Sequence, residues 1–144
     1  MSNWQQAKVE SIKDVQFEFF TQALESMGYK ADFSKKTVEG AYRSDGSRDV
    51  DCVLMTTNGV NSNIGVKFEL DENNEINGVY FVADWYNKRD KNNNRINDES
   101  FKRAFVLEYL TARTLNSLSE QSFTVEQVEQ VENGKRRIIA RRAA

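Results

Sequence analysis

The side chains in this chain that can do chemistry are carboxylates, basic groups and one thiol, because the sequence contains no histidine. Without imidazole the commonest general base near neutral pH and the commonest nitrogen ligand for metals are both missing. Three constellations remain. Asp84, Trp85 and Tyr86 close the apolar run VYFVADWY and open an Asn-rich segment. An acid with two aromatics at a strand end can present binding groups from a rigid base; the same residues can instead pack, Trp85 over the sheet edge and Asp84 as a turn cap. Glu108 falls within an apolar helical stripe, between Ala104 and Ala112. An ionised carboxylate there is costly unless paired or wet, so Glu108 is either a functional acid or a partner for a base such as Arg43 or Lys67. Lys135, Arg136, Arg137, Arg141 and Arg142 gather positive charge near the carboxy end. That patch suits phosphate. Glu126, Glu129 and Glu132 lie across the expected hairpin to neutralise it, and no aromatic platform for stacking single strands accompanies it.

The other reactive types read as structure. Cys52 is the single cysteine, sits in an apolar run and has no histidine to activate it, so core is its expected place and an internal disulfide is excluded. Asp71, Glu72 and Glu75 fall in a turn that reproduces no calcium loop. No base, nucleophile and orienting group come together, so no catalytic residue, metal or cofactor is expected.

The elements that must position these groups follow from periodicity. The stretch 97–118 is the longest periodic segment: Phe101, Ala104, Phe105, Leu107, Thr111, Ala112, Leu115 and Leu118 form one stripe at 100° per residue, with Asp98 or Ser100 as cap. A shorter helix places Phe17, Phe20, Leu24 and Met27 behind an Asp14 cap, with Gly28 as its left-handed stop. Alternation predicts strands over 7–12, 36–43, 49–57, 64–70 and 79–86, with residues 44–48 turning the second into an antiparallel third. Residues 28–33 read as a link. Residues 87–97 read as a polar, mobile loop. Two runs flank Asn133-Gly134, which predicts a β-hairpin over 122–142; the three-residue spacing of Val125, Val128 and Val131 calls for a bulge in it. The order predicts one α+β domain over 1–144: a two-layer sandwich, mostly antiparallel, with two main helices on one face of the sheet.

Composition sets outer bounds on function. A formal net charge of -2 argues against gripping nucleic acid with the whole surface, leaving only the local basic strand for that role. No apolar run reaches the ~18 residues of a membrane span and no amino-terminal leader is evident, so a cytoplasmic protein without membrane contact is expected.

The opening MSNWQQAKVESIKD, the GYK after the first helix, VDCVLMT, Ile64-Gly65, VADWY at 82–86, the long helix and SFTVEQVEQVENGKRRIIARR stand in an order that resembles the hypothetical chloroplast reading frame thirty-five family, a domain of unknown function. The resemblance covers nearly the whole chain. It implies an intracellular protein of a group spread over cyanobacteria, plastids, other bacteria and some phages, often encoded near AAA+ ATPases. This chain departs from the pattern in its long 87–98 loop and in Glu108, where the family tends to carry glutamine. The resemblance implies no activity and transfers no catalytic residue.

The expected function is therefore a non-catalytic binding or adaptor module acting through protein–protein contact at Asp84, Trp85 and Tyr86, with an AAA+ ATPase as the partner class the resemblance implies. The alternative is nucleic-acid or phosphate binding through Lys135, Arg136, Arg137, Arg141 and Arg142.

Overall fold

The computed structural model describes residues 2–142, with the side chains of Arg43 and Asn133 outside the described set. Strands β1 (Trp4–Val9), β2 (Tyr29–Asp32), β5 (Cys52–Thr56), β6 (Asn61–Leu70) and β7 (Ile76–Asp84) form a five-stranded sheet in the order β1-β7-β6-β5-β2. Every pairing in it is antiparallel. Helices α1 (Phe17–Met27) and α2 (Asp98–Glu120) cover one face. The architecture is an α+β two-layer sandwich, as the element order predicts.

Period-two alternation decides what lies between the layers. Ala7 and Val9, Cys52 and Leu54, Ile64 and Val66, and Val79, Phe81 and Ala83 point from their strands into the core beneath the helices. Phe81 is the hub: the rings of Phe101 and Phe105 each lie 4.9 Å from it, edge on. Such edge-to-face pairs add stabilisation of about 1 kcal/mol beyond burial. Tyr109, 1% exposed, completes the helix row, and its hydroxyl accepts the Gln16 N–H at 2.9 Å.

That bond explains one correction. Asp14 does not cap α1; it takes a left-handed turn at φ 55°, and Gln16 is the N-cap residue, its own amide satisfied by Tyr109. The buried stripe of α1 accordingly runs through Phe19, Phe20, Ala23 and Leu24, and Phe17, expected inside, is 52% exposed. Gly28 does stop the helix with φ 91°. On α2 the cap is Asn97, whose side chain accepts the Ser100 N–H while Ser100 Oγ accepts the Asn97 N–H. Ala104 is exposed because the buried row follows Phe101, Phe105 and Tyr109 along one i, i+4 ridge.

Several strand expectations change. The first strand begins at Trp4 and ends at Val9, and the link after Gly28 contains β2. Cys52–Thr56 pairs with β2 and β6 rather than with residues 36–43. The hairpin around Asp45-Gly46 exists in a shorter form, β3 (Thr37–Glu39) with β4 (Ser47–Asp49), and lies apart from the main sheet. Its Val38, with Val50, packs on Val53 and Val82 to make a small second core on the sheet face away from the helices. Gly65 makes that approach possible: a Cβ there would lie 2.3 Å from Val50 Cγ1 and 3.0 Å from Val38 Cγ1.

Strands β8 (Phe123–Gln130) and β9 (Arg136–Arg142) form a separate antiparallel ribbon beside α2, with the register shift between Val125 and Gln127 that the valine spacing calls for. No described residue of this ribbon is fully buried. Among the described residues no helix is long and apolar enough to cross a membrane.

Candidate functional site

Asp84 ends β7 at 0% exposure, and its carboxylate gathers three chain segments. Oδ1 accepts the N–H of Asn3 at 2.7 Å and of Tyr86 at 3.1 Å, while Oδ2 accepts the Ala41 N–H at 2.9 Å. Burial pushes its pKa up, but the three backbone donors, with a smaller contribution from Lys88, outweigh that and hold it below the usual carboxylate value. Asp84 is thus an ionised staple joining the start of β1, the turn after β3 and the segment leaving β7.

Trp85 is 3% exposed, its indole N–H donating to the Gln5 carbonyl at 3.1 Å and its ring 5.6 Å from that of Phe101. Asp84 and Trp85, expected to present themselves to a partner, are both buried instead, on opposite faces of the sheet: Trp85 packs in the core beneath the helices, and Asp84 points to the other face, toward Gly40 and Ala41. Tyr86, 37% exposed, does reach the surface. It meets Tyr42, 53% exposed, with ring centroids 5.9 Å apart. Beside them the Trp4 indole N–H donates to the Asp45 carbonyl at 3.1 Å, and the Arg48 guanidinium lies 4.4 Å above the Trp4 ring. Tyr42, Trp4 and Arg48 were not legible as a site, since the contacts that gather this region join residues 41 to 81 positions apart. The one sequence signal was an aromatic three residues ahead of Asp45-Gly46.

Glu108 is half-buried and paired, and among the described side chains its partner is not the expected Lys67. Lys67 projects from the sheet face away from α2, opposite Tyr80, and the Arg43 side chain lies outside the described residues. The partner is Arg136 of β9, in a two-pronged contact: Nη1 donates to Oε2 at 2.9 Å and Nη2 donates to Oε1. Arg136 also donates to Thr111 Oγ1 at 3.2 Å and Gln130 Oε1 at 3.1 Å, and the Glu108 carboxylate raises its pKa. This fork fastens the ribbon to α2.

The rest of the basic strand is similarly engaged. Arg137 pairs with Glu129 at 3.3 Å, Arg141 with Glu126 at 3.1 Å, and Arg142 lies 5.3 Å over Phe123. Lys135 alone of the five has no such contact among the described residues. Cys52 is fully buried, and burial pushes its thiol up to about 12, so it is inert as a nucleophile. Asp71 Oδ1 accepts the N–H groups of Asn73 and Glu75 and closes a turn. No group of three or more His, Cys, Asp or Glu among the described residues is arranged to hold a metal. The 87–97 segment folds as a small hairpin: Asp90 accepts the N–H groups of Asn92 and Asn94, and Lys91 reaches the Ser26 carbonyl at 3.4 Å.

Comparison of the chain with protein-family models, curated proteins and solved structures finds no match in any of the three.

Proposed function

We propose that this chain is a non-catalytic binding module acting through protein–protein contact, and that the Tyr42–Tyr86 face is what it offers. One observation carries this reading: two adjacent, solvent-reaching tyrosines stand on segments tied to a single buried carboxylate. Tyrosine gives large amphipathic contact area for two torsions, and rigid support lowers the entropy lost on docking. Trp4 and Arg48 next to the pair add the other residue types that dominate interface energetics.

Phosphate binding by the basic strand has weaker support, because Arg136, Arg137 and Arg141 already face carboxylates. An AAA+ ATPase, the partner class implied by the family resemblance, is the first to try.

A photo-crosslinking amino acid at position 42, followed by mass spectrometry, identifies what touches this face. The expected result is one predominant protein whose capture is abolished by Tyr86→Ala. A crosslink pattern unaffected by that substitution contradicts the reading.

A further inference from the structure

The side of α2 turned away from the Phe101, Phe105 and Tyr109 row is not covered. It floors a groove of about 1190 Å³ walled by the start of β9 on one side and by Glu10 and Ser11, just after β1, on the other. Leu107 and Leu110 of the helix and Ile138 of β9 line it, each only half-buried. Four cations, Lys102, Arg103, Lys135 and Arg136, line it as well. Two are compensated, Lys102 by Glu99 at 3.3 Å and Arg136 by Glu108. Arg103 and Lys135 are exposed and have no ion pair among the described residues. Against Arg103 and Lys135 stands one exposed carboxylate unpaired among the described residues, Glu10 on the opposite wall, so on a chain of net charge -2 the groove joins an apolar floor to a positive balance of free charge.

We propose that this groove binds an acidic amphipathic helix of a partner protein, apolar residues against Leu107, Leu110 and Ile138 and carboxylates toward Arg103 and Lys135. The dimensions select the class. Sites for small molecules enclose roughly 300–1,000 Å³ and bury most of the ligand, whereas this groove is larger and open. A single-stranded nucleic acid needs aromatic faces for its bases, and no aromatic side chain lines the groove. A helix laid along α2 can mesh with the ridge that Leu107 and Leu110 begin, as paired helices do. The site is separate from the tyrosine face and does not depend on it.

The test uses the full chain and a synthetic acidic peptide with leucine at helical spacing. Its controls are a scrambled peptide of the same composition, a lysine-for-glutamate version and a single-stranded DNA oligonucleotide of matched charge. Binding is followed by fluorescence anisotropy, and helix content by circular dichroism. The acidic peptide alone should bind and gain helix. Arg103→Glu with Lys135→Glu, both exposed and outside the Glu108 pair, should weaken it about tenfold or more. Leu107→Ser should weaken it too, with the melting temperature as the check on folding, and Tyr42→Ala with Tyr86→Ala should leave it unchanged. Equal binding of the scrambled peptide or the oligonucleotide overturns the proposal, as does no binding of the acidic peptide at millimolar concentration. Loss at the tyrosine face with the peptide still bound removes the proposed function and leaves the groove standing.

Discussion

A single carboxylate sets the geometry of the tyrosine face, and its chemistry makes that dependence measurable. Replacing Asp84 by Asn keeps the shape but leaves one acceptor oxygen for three N–H donors, and sets an NH2 group against the Ala41 amide. Asp84→Asn should destabilise the fold by about 2 kcal/mol or more at pH 7. The sign with pH follows from the direction of the shift. The folded pKa of Asp84 is depressed from the model-compound value of 3.8, so its stabilisation is present above that value and is lost as pH falls through the folded one. Urea unfolding of both proteins from pH 7 downward should therefore show their stability difference narrowing below pH about 4; a constant difference contradicts the ionised staple. The importance of an acid at this strand end was legible in VADWY, but its bonding was not. Its donors, Asn3 and Ala41, lie 81 and 43 residues away, and sequence pattern reports neighbours along an element, not meetings between elements.

Elements whose faces repeat at fixed period were legible: the long helix and the carboxy-terminal ribbon with its bulge stand over the expected residues, and β6 and β7 form where alternation was read, although β6 starts at Asn61 and β7 runs over Ile76–Asp84 rather than 79–86. The short strand β2 was not, and of the β3–β4 hairpin the turn at Asp45-Gly46 was legible but the strand lengths and partner were not, because three or four residues hold too few repeats to carry a phase. What the hairpin needs is instead written in its neighbour. Gly65→Ala should cost about 1–3 kcal/mol through overpacking against Val50 and Val38, read as a fall in denaturant midpoint; an unchanged midpoint means the hairpin is not held on the sheet as described. The carboxy-terminal ribbon depends on polar fastening, since none of its described residues is fully buried. Arg136→Ala leaves Glu108 half-buried without its fork, and should destabilise the protein by about 2 kcal/mol. Amide exchange should quicken across residues 123–142 while residues 64–83 keep their protection. Uniform quickening, or none, argues against a locally fastened ribbon.

At the scale of the whole molecule, the sheet and two helices form a frame that leaves the Tyr42–Tyr86 pair and the Arg103 and Lys135 cations at the surface. The frame turned Trp85 inward and Tyr86 outward, a reversal that a one-residue step produces at a strand end, but the sequence does not announce which of the two faces the core. The most direct measurement is the affinity of the crosslinked partner for the Tyr42→Ala, Tyr86→Ala double variant by calorimetry, with the melting temperature recorded on the same sample. We expect affinity to fall by about 2 kcal/mol or more, as for interface hot spots, with the melting temperature nearly unchanged because both rings reach solvent. Unaltered affinity in a variant that melts earlier would return the tyrosines to a structural role and contradict the assignment of this face to partner binding.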